Sequence, residues 1–113
     1  MTNLGVIRNL LYEGRVFHAG DIKFTLAEGW KHFERKCAIC WVLACNNLPF
    51  YTEAVFKGSK GRADILTVVD GRPVAIEIIN SEDERSIEMK KLKYPCDVVE
   101  IKVDEFFRIE MIC

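Results

Sequence analysis

Residues 51–81 read YTEAVFKGSKGRADILTVVDGRPVAIEIINS, and this stretch decides the fold. Residues 62–69 alternate in the pattern typical of a β-strand. Asp70-Gly71 follows between two β-branched runs and predicts a tight hairpin, because glycine supplies the positive φ that a primed turn needs. Residues 74–79 are then the partner strand, and their almost wholly apolar composition is expected of a strand covered on both faces.

The alternation in residues 62–69 also assigns side chains to the two faces of this strand. One face is predicted to hold Ile65, Thr67 and Val69, and the other to hold Arg62, Asp64, Leu66 and Val68. Asp64 can then meet Glu77 of the partner strand, with about 5 Å between Cβ atoms for direct pairing. Glu77 interrupts the apolar run VAIEII, where an isolated charge is costly unless it is paired or bound to a metal.

The rest of the chain predicts helices around this hairpin within a single domain. The chain has 113 residues, half of them apolar, which suffices for one core but not for two ordinary domains. We expect an N-terminal helix and arm at residues 1–25, an αβββαβ core at residues 26–103, and a terminal strand or short helix at residues 104–113. Within the core we expect helices at 26–46 and 81–93 and strands at 50–56, 62–69, 74–79 and 96–103. This order indicates an α/β fold with a mixed sheet flanked by helices.

The clearest helix is predicted at residues 26–46, where Thr25 can cap the first turn and Glu28 can complete a capping box. The side chains expected to face the sheet recur every three or four residues: Trp30, Phe33, Cys37, Cys40 or Trp41, and Ala44. The side chains expected to face solvent are Lys31, Glu34, Arg35 and Lys36.

Charge and hydropathy narrow the possible classes of protein. The formal net charge is −1 and the pI about 6.1, so binding to nucleic acid would need a local basic patch. The longest apolar run, residues 37–45, is well below the roughly 18 residues of a membrane-spanning helix. Charged residues interrupt the N-terminal region where a secretory signal is apolar. We therefore expect no membrane association and an intracellular, cytoplasmic location.

The spacing of the cysteines and histidines predicts no metal site, disulfide framework or catalytic site. The five cysteines form no paired framework, and we expect buried free thiols rather than disulfides. His18 and His32 have an intrinsic pKa suited to acid–base chemistry. Neither lies among the acids in the sequence, so we expect core or surface roles for both.

The order of elements and acids resembles one known superfamily. A long helix is followed by a strand that carries Glu53, by Arg-Ala-Asp ending at Asp64, by the hairpin, and by Ile-Glu-Ile around Glu77. This order resembles the PD-(D/E)XK nuclease superfamily, the restriction-endonuclease-like fold of Holliday-junction resolvases and recombination-type exonucleases. The resemblance covers residues 26–103 and implies a restriction-endonuclease-like αβββαβ core.

The resemblance also implies a metal-dependent nuclease that hydrolyses phosphodiester bonds in DNA. Its ligands to Mg²⁺ or Mn²⁺ would be Asp64, Glu77, the main-chain carbonyl of Ile78 and, upstream, Glu53. Such hard cations take carboxylate and carbonyl oxygens together with waters. A bound ion polarises the phosphoryl group and lowers the pKa of a bound water, which can then attack.

Ile79 departs from the family pattern, because the family has a lysine at this position that orients the attacking water. We expect Lys60 to supply the missing charge. Other candidates are Lys57, Lys90, Lys91 and Lys93. Two alternatives stay open: a catalytically inactive module of the same fold used for nucleic-acid binding or assembly, and a small α/β interaction protein whose acids are incidental.

The loop before Asp64 is the predicted contact with nucleic acid. Lys57, Lys60 and Arg62 form a small basic group that could follow the backbone of duplex or branched DNA. Arg62 could instead form an ion pair with Glu53 or with Asp64. The domain is too small to enclose a duplex alone, so we expect a homodimer that presents two sites.

Overall fold

The chain folds as an α/β protein with a four-stranded mixed sheet flanked by helices, as the sequence predicts. The computed structural model describes residues 3–11, 19–80 and 84–113. The helices are α1 (Asn3–Leu10), α2 (Trp30–Cys45) and α3 (Glu84–Lys93), and two 3₁₀ turns span Lys57–Ser59 and Ile109–Met111. The strands are β1 (Phe50–Val55), β2 (Arg62–Val69), β3 (Arg72–Ile79) and β4 (Asp97–Lys102).

The four strands lie side by side in chain order. β2 pairs antiparallel with both β1 and β3, whereas β3 pairs parallel with β4 because α3 provides the crossover. The predicted Asp-Gly hairpin is confirmed, since Asp70 and Gly71 have φ angles of 50° and 77° and form the two central residues of a primed turn.

Each face of the sheet is covered by its own apolar cluster. The cluster on the α2 face includes Ile39, Leu43, Ile65, Ile76 and Ile101. The cluster on the opposite face includes Ile7, Leu11, Phe56, Leu66 and Tyr94. β2 and β3 are therefore buried on both sides, which explains their almost continuous apolar sequence.

Helix α2 begins later and buries a different face than the sequence predicts. Gly29 is extended and precedes the first helical residue, Trp30. Residues 25–28 form a separate turn, in which the Glu28 carboxylate accepts a hydrogen bond from the Thr25 amide at 3.2 Å. The buried residues of α2 are Lys36, Ile39, Cys40 and Leu43. Trp30, predicted to face the sheet, is 69% exposed. Of the two alternatives Cys40 and Trp41, Cys40 is buried and Trp41 is 71% exposed.

The predicted alternation of β2 is interrupted near Asp64. It holds from Ile65 onward, but Ala63 lies in the same cluster as Leu66, on the face opposite Ile65. The break coincides with Glu53 of β1, whose φ of 51° is left-handed. Thr52 pairs with Ile65 and Ala54 with Ala63, so Glu53 lies opposite Asp64 between these pairs. The bend turns both acids away from the positions that strict alternation assigns to them.

The segments outside the core are partly described. Residues 12–18, which include His18 and the first part of the predicted arm, lie outside the described residues. Residues 19–25 run beside β1, where the Gly20 amide donates to the Phe50 carbonyl at 3.0 Å. Over the described ranges, none of the helices has the length and apolar character needed to cross a membrane. All five cysteines are free, as expected, but Cys45 and Cys113 are exposed rather than buried.

Candidate active site

Asp64 and Glu77 meet where the pairing of β2 and β3 ends. Continuing the register beyond Ile65 and Ile76 places the two acids opposite each other. Their carboxyl groups share a hydrogen bond, and Asp64 Oδ2 also accepts one from the Ile78 amide at 2.8 Å. Glu77 is only 1% exposed. The hairpin therefore brings a buried pair of carboxyl groups together, as its register predicts.

The two carboxyl groups have opposite pKa shifts. Burial and the neighbouring Asp64 charge raise the pKa of Glu77 to about 8. For Asp64, burial alone would raise the pKa, but hydrogen bonds from His32, Glu77 and the Ile78 amide outweigh it and lower the pKa. At neutral pH the pair therefore holds one shared proton, with Glu77 as the donor and Asp64 as the acceptor.

Tyr94 and Lys90 hold Glu77 from the side opposite α2. The Tyr94 hydroxyl lies 2.5 Å from Glu77 Oε1 and 2.7 Å from the Arg62 carbonyl. Burial raises the pKa of Tyr94, which keeps its hydroxyl protonated. Lys90 Nζ lies 3.6 Å from Glu77 Oε2. Gly61 leaves room for this tyrosine, because a Cβ there would lie 2.7 Å from Tyr94 Cε1.

Glu53, the third predicted acid, contacts cations rather than the other two acids. Its Oε1 lies 3.1 Å from Lys36 Nζ, and its Oε2 lies 2.9 Å from Arg62 Nε. The ion pair between Arg62 and Glu53, one of the two roles considered for Arg62, is thus present. Lys36 is completely buried and also binds Glu28, at 2.9 Å, and the Lys23 carbonyl, at 2.6 Å.

The buried charges of this network stabilise one another's ionised forms. For Lys36, burial alone would lower the pKa, but hydrogen bonds and charges from Glu28 and Glu53 raise it. For Glu28, burial would raise the pKa, but hydrogen bonds with Lys36 and His32 lower it. The predicted solvent position of Lys36 is wrong, because two carboxylates from outside its own turn of helix compensate its burial.

His32 joins this network to the carboxyl pair, which corrects the expectation that it lies apart from the acids. Its Nδ1 lies 2.5 Å from Glu28 Oε1, and its Nε2 lies 3.4 Å from Asp64 Oδ2. The Asp64 hydrogen bond, opposed by burial, raises the pKa of His32 to about 9. Sequence reasoning missed Glu28, His32 and Lys36, which are spaced four residues apart. His32 and Lys36 lie one turn apart on α2, and Glu28 lies in the turn before this helix.

An open cleft of about 650 Å³ borders these groups; we call it the acidic cleft. Its polar lining includes Glu28, Lys31, His32, Glu53, Arg62, Asp64 and Asn80, and Trp30 also borders it. Lys60, the predicted source of the missing charge, is exposed and does not line this cleft. The cations that touch the carboxyl pair within the described part of the chain are His32 and Lys90.

The donor set for a metal is small. Among residues 3–11, 19–80 and 84–113, no group of three or more His, Cys, Asp or Glu side chains is arranged to hold a metal ion. Asp64 and Glu77 offer two carboxylates, which is within the one or two that commonly hold Mg²⁺. Any further oxygens would come from the main chain near Ile78 or from water.

The chain matches none of the family models, curated proteins or solved structures with which it was compared. Its function therefore has to be inferred from its own residues.

Proposed function

We propose that the protein is a metal-dependent nuclease that hydrolyses phosphodiester bonds in DNA and has a restriction-endonuclease-like core. The observation that supports this most is the contact of Asp64, which lines the acidic cleft, with the buried Glu77 behind it. Two carboxyl groups in contact at a buried position are costly unless a proton or a cation lies between them. The raised pKa of Glu77 favours a protonated carboxyl beside Asp64, and Mg²⁺ or Mn²⁺ would displace this proton on binding.

The residues present fit such an ion only in part. Asp64 and Glu77 are suitable ligands, and Ile78 is already beside them through its amide. Glu53 is engaged by Lys36 and Arg62, so it would have to give up one of these ion pairs to bind the metal. In the proposal Glu53 therefore orients Arg62, and the carboxyl pair with main-chain and water oxygens completes the coordination.

His32 is the residue that best replaces the absent lysine. The ion, when bound, would polarise the phosphoryl group and activate a water. The raised pKa keeps His32 protonated at neutral pH, so it places a positive charge and an N–H donor beside Asp64, where Ile79 offers neither. Glu28 orients the ring through Nδ1, and Arg62 lies at the same cleft with a guanidinium suited to phosphate.

The test is cleavage of linear, branched and single-stranded DNA with Mg²⁺, Mn²⁺ or a chelator. We expect metal-dependent cleavage by the wild type and background levels for Asp64→Asn and Glu77→Gln. Glu100→Gln is the control, because Glu100 is an exposed acid on the neighbouring strand. Equal cleavage by all four proteins would indicate a contaminant and refute the enzyme. DNA binding without cleavage would favour the catalytically inactive module. The predicted homodimer is tested by the mass of the protein in solution.

A further inference from the structure

A second cavity of about 550 Å³ lies on the other side of Glu77; we call it the basic cavity. Its lining residues are Val55, Phe56, Ser59, Gly61, Arg62, Lys90, Lys93 and Tyr94. Three of these carry a positive charge, and no carboxylate is among the lining residues that the structure describes. The acidic cleft, in contrast, contains similar numbers of acids and bases. The basic cavity is thus a local concentration of positive charge on a chain whose net charge is −1.

The shape of the basic cavity favours a phosphate rather than a base. Its floor contains Phe56 and Tyr94, whose rings pack against each other with centroids 4.9 Å apart. These residues are 1% and 7% exposed, so neither ring is open for stacking on a nucleobase. Lys93 and Ser59 are exposed and leave charged and hydroxyl donors at the opening. The donors at the opening therefore suit an anionic oxygen group, and the buried rings offer no face on which a base could stack.

The basic cavity is directly connected to the candidate active site. Arg62 lines both the basic cavity and the acidic cleft. Lys90 lines the basic cavity and lies 3.6 Å from Glu77, and Tyr94 forms part of the floor while bonding the same acid. An anion in the basic cavity would thus contact the same residues, Lys90 and Tyr94, that hold Glu77.

We propose that the basic cavity binds a phosphate group of a nucleic-acid strand whose neighbouring phosphodiester bond lies at Asp64 and Glu77. This inference rests on the proposed function and extends the predicted loop contact of Lys57, Lys60 and Arg62 to the end of α3. The argument for nucleic acid is that three cations and no carboxylate are among the described lining residues. Arg62 and Lys90 are paired with Glu53 and Glu77, which do not line the cavity, and Lys93 is exposed at its opening.

The test is the affinity for a fluorescent single-stranded oligonucleotide, measured in a chelator so that no cleavage occurs. The two variants are Lys93→Gln and Lys91→Gln. Both remove one charge from the last turn of α3, but Lys93 lines the basic cavity, whereas Lys91 lies 3.9 Å from Glu88 and does not. We expect Lys93→Gln to weaken binding several-fold and to reduce the slope of log affinity against log salt by about 0.7, the value for one phosphate contact on a single strand. Lys91→Gln should leave the slope unchanged.

Competition experiments identify the ligand group. Inorganic phosphate should displace the oligonucleotide from the wild type more effectively than from Lys93→Gln. A 5′-phosphorylated oligonucleotide that binds more tightly than its unphosphorylated form would support a terminal phosphate, and equal affinities would support an internal one. Polyglutamate competing as well as an oligonucleotide of equal charge would overturn the phosphate assignment and favour an acidic protein.

The outcomes also separate this proposal from the proposed function. Equal effects of Lys93→Gln and Lys91→Gln, or no binding by the wild type, would refute the phosphate site even if DNA is cleaved. Specific loss of binding in Lys93→Gln together with no cleavage under any metal would support the phosphate site and refute the nuclease. Thermal unfolding of both variants checks that the exposed substitutions leave the fold intact.

Discussion

Replacing Lys36 by methionine should destabilise the protein more than any other single change on the solvent side predicted for α2. Methionine keeps the length and much of the volume of the side chain but removes its charge and its hydrogen bonds. The Lys36 ammonium is bonded to the Lys23 carbonyl at 2.6 Å, to Glu28 at 3.0 Å and to Glu53 at 3.1 Å. Lys36→Met therefore leaves two carboxylates close together, one with 2% and one with 9% side-chain exposure.

Lys36→Met should lower the free energy of unfolding by about 3–5 kcal/mol, the usual cost of losing one partner of a buried ion pair. For a chain of this size each kcal/mol corresponds to roughly 4 °C in melting temperature, so we expect a decrease of about 10–20 °C. The measurement is urea unfolding followed by circular dichroism, with thermal unfolding as a second readout. Lys31→Met is the matched control, because Lys31 is exposed on the same helix. It should change stability by less than about 0.5 kcal/mol.

A second variant shows whether the unpaired carboxylates are the cause. Glu28→Gln added to Lys36→Met removes one of the two stranded charges, so the double variant should be more stable than Lys36→Met alone. Such a positive coupling is expected for residues in one network. If Lys36→Met lowers the free energy of unfolding by less than about 1 kcal/mol, the buried network contributes little, and the reasoning is refuted.

Three further results are expected. The free energy of unfolding should fall by a few kcal/mol between pH 5 and pH 9, because the folded-state pKa values of Glu77, about 8, and His32, about 9, both exceed their ordinary values. Urea unfolding across this pH range is the measurement. Glu77→Gln should make the free energy of unfolding depend less on pH. This contribution is complete below the ordinary pKa of each group and is lost as the pH passes its folded-state pKa, so a stability that rises with pH would contradict it. Gly61→Ala should cost about 1–3 kcal/mol through its clash with Tyr94, whereas Gly58→Ala, also at positive φ but with only Lys60 Cε at 4.0 Å, should cost less in the same assay. His32→Gln should reduce metal-dependent cleavage by about 10–100-fold while leaving the circular dichroism spectrum unchanged, as is typical for partners of metal ligands; full activity would exclude His32 as the substitute for the lysine.

The sheet could be predicted because its signals are local. Asp70-Gly71 and the β-branched runs beside it determine the hairpin from adjacent residues, and the hairpin register alone places Asp64 opposite Glu77. The boundaries of β1 to β4 accordingly agree with the prediction to within two residues. The contact between Asp64 and Glu77 therefore follows from the turn and the register of one hairpin.

The surroundings of the two acids could not be predicted in the same way. Lys36 is buried because Glu28 and Glu53, both outside α2, compensate its charge, and the hydrophobic periodicity of α2 does not carry that information. Hydrophobic periodicity instead assigned the sheet side to Trp30, which is exposed, and left Cys40 and Trp41 as alternatives, of which Cys40 is the buried one. The left-handed turn of Glu53 in the middle of a strand also has no local signature, so the alternation that placed Asp64 on the same face as Leu66 and Val68 failed there.

The backbone at Glu53 constrains how this protein can change during evolution. A left-handed φ of 51° costs a non-glycine residue about 1 kcal/mol or more, and glycine adopts it freely. Substitution by glycine would relieve this cost but would leave Lys36 and Arg62 without their shared carboxylate. Loss of a partner of the buried Lys36 costs more than this backbone strain, so selection for stability should itself retain an acid at this position. Retention of an acid at this strained position in diverged descendants would therefore indicate that selection maintains the charge network.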